Sequence, residues 1–158
     1  MQTTLVATDI MGYARRYHGA SALLYAWQAM YELVIAAFNI TALPWWGCYR
    51  EDRGDGTLIV APPGISPGQI LDPLIHHLNA LLRSHARRAG QGMQLDLRMA
   101  IHYGYVYYDA HGVTGYALTH LYRLLEAPRS RRPSPQLEPT SAPSSPTSSI
   151  PRHSNTTF

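Results

Sequence analysis

The sequence predicts an α+β domain, in which antiparallel strands form a sheet with helices packed on one face, followed by a disordered tail. Three observations support this class. Apolar residues alternate between the period of strands and the period of helices, in the order βαββαββα. Short turns join two of the strand pairs, as they do between antiparallel neighbours. After residue 127, serine and proline replace the aliphatic residues that a core needs.

The first two elements are a strand and a long helix. Residues 3–8, TTLVAT, are predicted to form a short apolar strand that ends at Asp9. Residues 21–38 carry apolar side chains at helical spacing. Because Gln28 and Glu32 interrupt this run, the prediction is a buried helix and not a membrane span.

A hairpin and a second helix come next. Residues 46–53 and 57–61 are predicted strands, and the Gly-Asp-Gly sequence at 54–56 is typical of the turn between them. Proline and glycine residues then interrupt the chain. Beyond them, residues 66–88 place their apolar side chains on one side of a predicted helix.

A second hairpin and a short helix complete the predicted domain. Residues 93–102 alternate between apolar and polar side chains, as a half-buried strand does, and residues 105–108 are its predicted hairpin partner. The last helix covers residues 115–126. The domain is therefore expected to span residues 1–127, and residues 128–158 to form a disordered tail rich in serine and proline. That tail is either authentic or the product of a frameshift or truncation after the helix.

The predicted domain is electrically neutral. The chain contains 13 arginines, no lysine and 10 acidic residues, which gives a formal net charge of +3. The tail holds four of the arginines and one acid, and so supplies the whole surplus. A nucleic-acid-binding face is therefore not expected. One cysteine, Cys48, excludes an internal disulfide, and no signal peptide is visible, so a cytoplasmic protein without membrane attachment is expected.

Two acids follow or join predicted strands. Asp9 ends the first strand, and Asp55 lies in the turn of the first hairpin. If these strands are neighbours, the two carboxylates converge at one edge of the sheet, where they could hold Mg²⁺ together with substrate phosphates. The flanking glycine Gly56 would let a phosphate approach the backbone closely. The alternative is structural, since Asp-Gly is a common hairpin turn.

Four segments resemble the motifs of class III nucleotidyl cyclase domains, the adenylate and guanylate cyclase family. They occur in the order of that family, and they cover about 120 residues. The segments are DIMGY at 9–13, RGDGTL at 53–58, RMAIHYGYV at 98–106 and GYALTHLYRLL at 115–125. The resemblance implies a ferredoxin-like antiparallel sheet with helices on one face.

The resemblance also implies a site and a reaction. Asp9 and Asp55 would hold two divalent ions, Mg²⁺ or Mn²⁺, over a nucleoside triphosphate. Gly12 and Gly56 would lie near the bound nucleotide. The ribose 3′-hydroxyl would attack the α-phosphate and expel pyrophosphate, a reaction that depends on positioning and on charge stabilisation. Glu51 occupies the base-reading position and is the residue type of guanylate cyclases, so GTP is favoured over ATP.

The sequence departs from the family pattern at several of these positions. The second base-reading position is Gly112, which has no side chain. The Asn-x-x-x-Arg pair of the last helix becomes Thr119 and Arg123, and threonine lacks the amide donor. Family members also use a lysine on the triphosphate, and this chain has none. A truncated domain would in addition lack the strands that follow this helix in the family.

These departures predict a degenerate cyclase-like domain with little or no catalysis, which binds a purine nucleoside triphosphate and divalent metal in a signalling or regulatory role. A homodimer is implied by the resemblance, since family members assemble their sites between two subunits. Two alternatives remain at this point. One is an active cyclase that forms a 3′,5′-cyclic nucleotide. The other is a non-catalytic interaction domain that uses Trp45, Trp46 and the tyrosine-rich strand.

Overall fold

The structure, a computed structural model, describes residues 1–128, so the predicted tail after Pro128 lies outside the described residues. The chain contains a 3₁₀ turn at Trp45–Gly47 and a π-helical turn at Ile70–Leu74. The strands and helices are β1 (Gln2–Ile10), α1 (Tyr13–Arg16), α2 (Ala20–Ile40), β2 (Tyr49–Asp52), β3 (Gly56–Val60), α3 (Pro67–Gln69), α4 (Ile75–Arg88), β4 (Leu97–Tyr105), β5 (Tyr107–Asp109), β6 (Gly112–Thr114) and α5 (Tyr116–Glu126).

The main sheet has four strands in the order β2-β3-β1-β4, and every neighbouring pair is antiparallel. β1 is an inner strand that pairs with β4 along its whole length and with β3 over Leu5–Asp9, and eight of its nine residues are buried. In this register Asp9 lies between Gly56 of β3 and Arg98 of β4. The predicted α+β class with an antiparallel sheet is confirmed.

Two hydrophobic cores form because strand side chains alternate between the faces of the sheet. Val6 and Ile10 of β1 pack with α2 and α4 on one face. Leu5 and Ala7 pack with α5 on the other face. The sequence predicts that the helices pack on one face of the sheet. α2 and α4 do share one face, whereas α5 covers the opposite face.

The placement of α5 explains its apolar side. Leu118, Leu121 and Leu125 are buried against the sheet, while Leu124 is 54% exposed. The helix can come close to β4 because Gly104 has no side chain, and a Cβ there would lie 2.7 Å from the Cβ of Ala117. Most of the apolar side of α5 is thus covered by the sheet.

α2 is the helix, among the described residues, that is long and apolar enough to cross a membrane by length and composition. In this structure it is a core helix that packs on the sheet and on α4. Leu24, predicted on its apolar side, is instead exposed. Its buried residues are Ala26, Ala29, Met30, Leu33, Val34, Ala37 and Phe38.

The second hairpin differs from its prediction. Residues 105–108 were expected to pair with the preceding strand, but β5 pairs with β6 in a separate two-stranded sheet. The chain leaves β4 at Val106, which is fully buried and exchanges backbone hydrogen bonds with Met1. These bonds extend the pairing of β1 with β4 by one residue, and the tyrosines of β5 then belong to a separate hairpin.

Candidate functional site

The end of β1 carries a partly buried ion pair. Asp9 is 7% exposed, and its side chain lies on the face of the sheet that α5 covers. Arg98 donates from Nε to Asp9 Oδ1 over 2.8 Å, and from Nη2 to Oδ2. Both carboxylate oxygens of Asp9 are therefore held by one guanidinium in a bidentate geometry.

Arg98 is surrounded by carboxylates. Its hydrogen bonds with Asp9 raise the pKa of Arg98 above its ordinary value, although burial opposes the shift. The charges of Asp9, Asp55 and Glu126 raise this pKa further. Since the backbone oxygen of Asp55 also accepts from the Ile10 amide over 2.8 Å, the structure brings Asp9 and Asp55 to the same edge of the sheet.

Glu51 lies on β2, and its side chain points to the same face as Asp9. Its Oε1 accepts a hydrogen bond from the Tyr49 hydroxyl over 2.6 Å and another from the Val113 amide over 3.2 Å. Its Oε2 accepts from the Arg53 guanidinium over 2.6 Å. The hydrogen bond to Glu51 is the main reason that the pKa of Tyr49 is raised.

The predicted residues of the last helix lie on its exposed side. Thr119 and Arg123 are four residues apart on α5, and both are exposed. Arg123 lines a cleft of about 410 Å³ together with His102, His120 and Leu124. Within residues 1–128, the lining of this cleft includes none of the predicted metal or base-reading residues. Arg123 therefore faces a cleft whose described lining does not include Asp9, Asp55 or Glu51.

No family model and no curated protein matches the sequence. Solved structures do match the described domain. The guanylyl cyclase Cya2 aligns with a TM-score of 0.57 at 14% identity, over 79% of this chain and 69% of that one. A bacterial light-regulated adenylyl cyclase gives 0.62 at 11%, over 79% and 39%. The guanylate cyclase domain of RhGC from Catenaria anguillulae, in complex with GTP, gives 0.53 at 15%, over 78% and 71%.

This chain has the fold of a nucleotidyl cyclase domain. At such low identities the match establishes the fold and leaves the chemistry to be argued from the residues themselves.

The cyclase fold, together with the motifs at Asp9 and Asp55, implies a divalent cation at this edge of the sheet. Both oxygens of Asp9 are taken by Arg98, which also brings a positive charge to the position. Among residues 1–128 no group of three or more His, Cys, Asp or Glu side chains is arranged to hold a metal ion. With Asp9 paired to Arg98, a cation at this edge would depend on the exposed Asp55 and on oxygens of a bound ligand.

The two predicted glycines of the cyclase motif lie in different environments. Gly12 caps α1 in the left-handed conformation, at φ 67°, and lines a cavity of about 300 Å³ with Arg15, Arg16 and Asp96. Arg16 is paired with Asp96 at 2.5 Å. Gly56 is instead buried inside the sheet between β1 and β2, where its missing side chain has a structural role.

The sequence patterns assign no role to Arg98, which pairs with Asp9, or to Tyr49 and Arg53, which donate to Glu51. Arg98 was part of a recognised segment, and its position on the polar side of an alternating strand was visible. The signal that it pairs with Asp9 is absent from the sequence, because 89 positions separate the two residues. For Glu51, the nearby Tyr49 and Arg53 sit two residues away on the same face of a strand, which is a local pattern that indicates contact.

Proposed function

We propose that residues 1–127 form a nucleotidyl cyclase-like domain that binds a purine nucleoside triphosphate in a signalling or regulatory role and has little or no cyclase activity. The observation that carries this proposal is the partly buried, bidentate pair between Asp9 and Arg98. It neutralises the carboxylate on which metal-assisted chemistry would depend.

The loss of activity follows from the charge balance at the phosphates. Phosphoryl transfer is accelerated mainly by positioning and by stabilising developing negative charge. Thr119 cannot donate from an amide, and the sequence contains no lysine. Because removal of a single charge-stabilising donor costs about 10²–10³ in kcat, the combined losses leave no measurable turnover.

Retained binding is supported by the remaining arginines and by the structural matches. An arginine fork matches phosphate oxygens in a bidentate geometry, and Arg123 is exposed at the rim of a cleft. One matching domain was solved with GTP and another with ATPαS. A preference for GTP over ATP would require Glu51 to release the donors that hold it.

A homodimer is part of this proposal. Thr119 and Arg123 lie on the exposed side of α5, so they could contact a ligand held by a second copy of the chain. One match is a dimeric guanylyl cyclase domain of the RhoGC fusion protein from Blastocladiella emersonii. The proposed dimer would bring the helix pair of one copy to the sheet-edge acids of the other.

A second candidate function is a non-catalytic interaction domain, which the exposed aromatic side chains favour. Trp46 is 80% exposed and is stacked with Arg50, whereas Trp45 belongs to the core. Tyr105, Tyr107 and Tyr116 are also exposed near one cleft. Absence of binding to any nucleotide would favour this function over the first.

The activity prediction is tested with purified full-length chain. Incubation with GTP or ATP in the presence of Mn²⁺ should produce no cyclic nucleotide above the protein-free background, as measured by mass spectrometry. Thr119→Asn should not restore activity, because it returns a donor while Asp9 stays paired with Arg98. Clear formation of cyclic GMP or cyclic AMP by the unmodified chain would replace this proposal with an active cyclase.

The metal prediction concerns Asp55. Mn²⁺ alone should leave the melting temperature unchanged, whereas Mn²⁺ with nucleotide should raise it, because a cation carried on the phosphates can reach this exposed carboxylate. Ligand at about 100 times its Kd stabilises by about 2.7 kcal/mol. Asp55→Ala should remove the metal-dependent part of this shift and leave the unliganded protein folded. The measurement is a thermal melt with each component added in turn.

The matched control for Asp55 is Asp72, another exposed acid, which lies in the π-helical turn between α3 and α4. Asp72→Ala removes an exposed contact with His76 at 3.8 Å, and its neighbours Ile70 and Leu74 pack on the face of the sheet opposite Asp9. This variant should retain the nucleotide and metal shift. Equal shifts in the two variants would remove Asp55 from the site.

A further inference from the structure

The carboxylate of Glu51 already accepts hydrogen bonds from the protein, whereas a residue that recognises a base needs free acceptors. Its side chain is 22% exposed, and each of its oxygens accepts at least one hydrogen bond from the chain itself. One donor, the Val113 amide, comes from β6, which lies 62 positions further along the chain. Glu51 therefore ties two separate sheets together, the main sheet through β2 and the β5–β6 hairpin.

The contact is close because the hairpin has no side chain at Gly112. A Cβ at this position would lie 2.5 Å from Glu51 Oε1 and 3.1 Å from the Tyr49 hydroxyl. Gly112 also has φ 129°, a conformation that residues with a side chain rarely adopt. The hairpin thus rests directly on Glu51. A side chain at 112 would have to displace the Glu51 carboxylate and the Tyr49 hydroxyl, or move the hairpin away from β2.

Neighbouring contacts strengthen the same junction. The ring of Tyr108 on β5 packs edge-on against the ring of Tyr49, with centroids 5.3 Å apart. Arg53, held by Glu51, lies over the ring of Tyr122 on α5 at 5.4 Å. Glu51 is the common partner of β2, the hairpin and, through Arg53, the last helix.

A purine base can be read only by groups with hydrogen-bonding capacity to spare. The donors from Tyr49, Arg53 and Val113 already surround both oxygens of Glu51. A guanine edge would have to displace them, which returns the exposed Arg53 to water but leaves the partly buried Tyr49 hydroxyl and Val113 amide without their acceptor. The cost of such unmade hydrogen bonds offsets the gain from the base.

We propose that Glu51 is a positioning residue that fastens the β5–β6 hairpin onto β2 and closes the place where a base would be read, so that this domain recognises the triphosphate and not the base. The part concerning the ligand rests on the proposed function. The part concerning the hairpin stands on the contacts of Glu51 alone.

The ligand part is tested by isothermal titration of the full chain with GTP, ATP and inorganic tripolyphosphate, each with Mn²⁺. The affinities for GTP and ATP should agree within about threefold, and tripolyphosphate should bind comparably. Glu51→Gln should leave the ratio of GTP to ATP affinity unchanged. A GTP preference of about tenfold or more that Glu51→Gln abolishes would overturn the inference.

The hairpin part is tested by amide hydrogen exchange, which needs no ligand. Glu51→Ala should accelerate exchange at the Val113 amide by about tenfold, because its acceptor is removed. Glu51→Gln keeps an acceptor oxygen and should restore part of the protection. Glu32→Ala, which truncates an exposed glutamate on α2, is the matched control and should have no effect at Val113. Unchanged protection of Val113 in Glu51→Ala would overturn the inference.

The two tests separate the possible failures. If neither nucleotide nor tripolyphosphate binds, the proposed function is wrong, and the exchange experiment alone decides whether Glu51 fastens the hairpin. If ligands bind and Val113 protection does not depend on Glu51, the proposed function stands and this inference is wrong.

Discussion

Arg98→Met should lower the free energy of unfolding by about 3 kcal/mol, because it leaves the carboxylate of Asp9 buried without its partner. The value lies at the low end for a broken buried pair, since the Arg98 side chain is 34% exposed and water can compensate in part. For a domain of this size the melting temperature should fall by roughly 10 °C. Urea denaturation followed by circular dichroism measures the change.

Two further variants show whether the charge of Asp9 is the cause. The double variant Asp9→Asn with Arg98→Met removes both charges and should recover most of the lost stability. Arg16→Met is the matched control. It breaks an ion pair with Asp96, whose side chain is 62% exposed, and should cost less than about 1 kcal/mol. Equal losses for Arg98→Met and Arg16→Met would contradict the interpretation of a partly buried, obligatory pair.

The convergence of the two acids at one sheet edge could be predicted from the sequence. Asp9 follows an apolar strand and Asp55 sits in a glycine-flanked turn, and both signals are local. The hydrogen bond from the Ile10 amide to Asp55 brings the two segments together as expected. The salt bridge between Asp9 and Arg98 could not be predicted in the same way, because it depends on the register of β1 against β4.

The position of α5 shows a second limit of sequence patterns. The spacing of Leu118, Leu121 and Leu125 indicates which side of the helix is buried. It contains no information on which face of a sheet will receive that side. The close approach at Gly104 and the small apolar residues of β1 decide the question, and their effect becomes visible only when the strands are paired.

Some contacts of Glu51 follow from the local sequence pattern, and others depend on the tertiary structure. Its contacts with Tyr49 and Arg53 follow from strand alternation, since residues two apart point to the same face. Its contact with Val113 depends on a hairpin that the sequence pattern assigned to a different partner. Motif resemblance therefore located this residue, whereas its role depends on tertiary contacts outside the motif.

Gly56→Ala is expected to have the largest effect of any single methyl addition considered for this domain. A Cβ on Gly56 would lie 1.9 Å from the Thr8 carbonyl oxygen and 2.8 Å from the Asp9 Cα. These are backbone atoms of the central strand, so no side-chain rotation can relieve the clash. The expected loss is about 4 kcal/mol or more, which is a large part of the stability of a typical domain. Soluble yield and denaturant midpoint are the measurements.

Gly90→Ala is the matched control, since a Cβ there meets no atom within 4 Å. It should change stability by less than about 0.5 kcal/mol.

Nucleotide-dependent melts of Gly56→Ala also distinguish two possible roles of Gly56. If the glycine is needed for the sheet, Gly56→Ala is destabilised whether or not nucleotide is present, because Gly56 lies opposite Asp9 in the pairing of β1 with β3. If it is needed only for a phosphate to approach, the variant melts like the unmodified protein and loses the nucleotide-dependent shift. The distance to Thr8 favours the first result, and it places Gly56 among the residues that hold Asp9 in position.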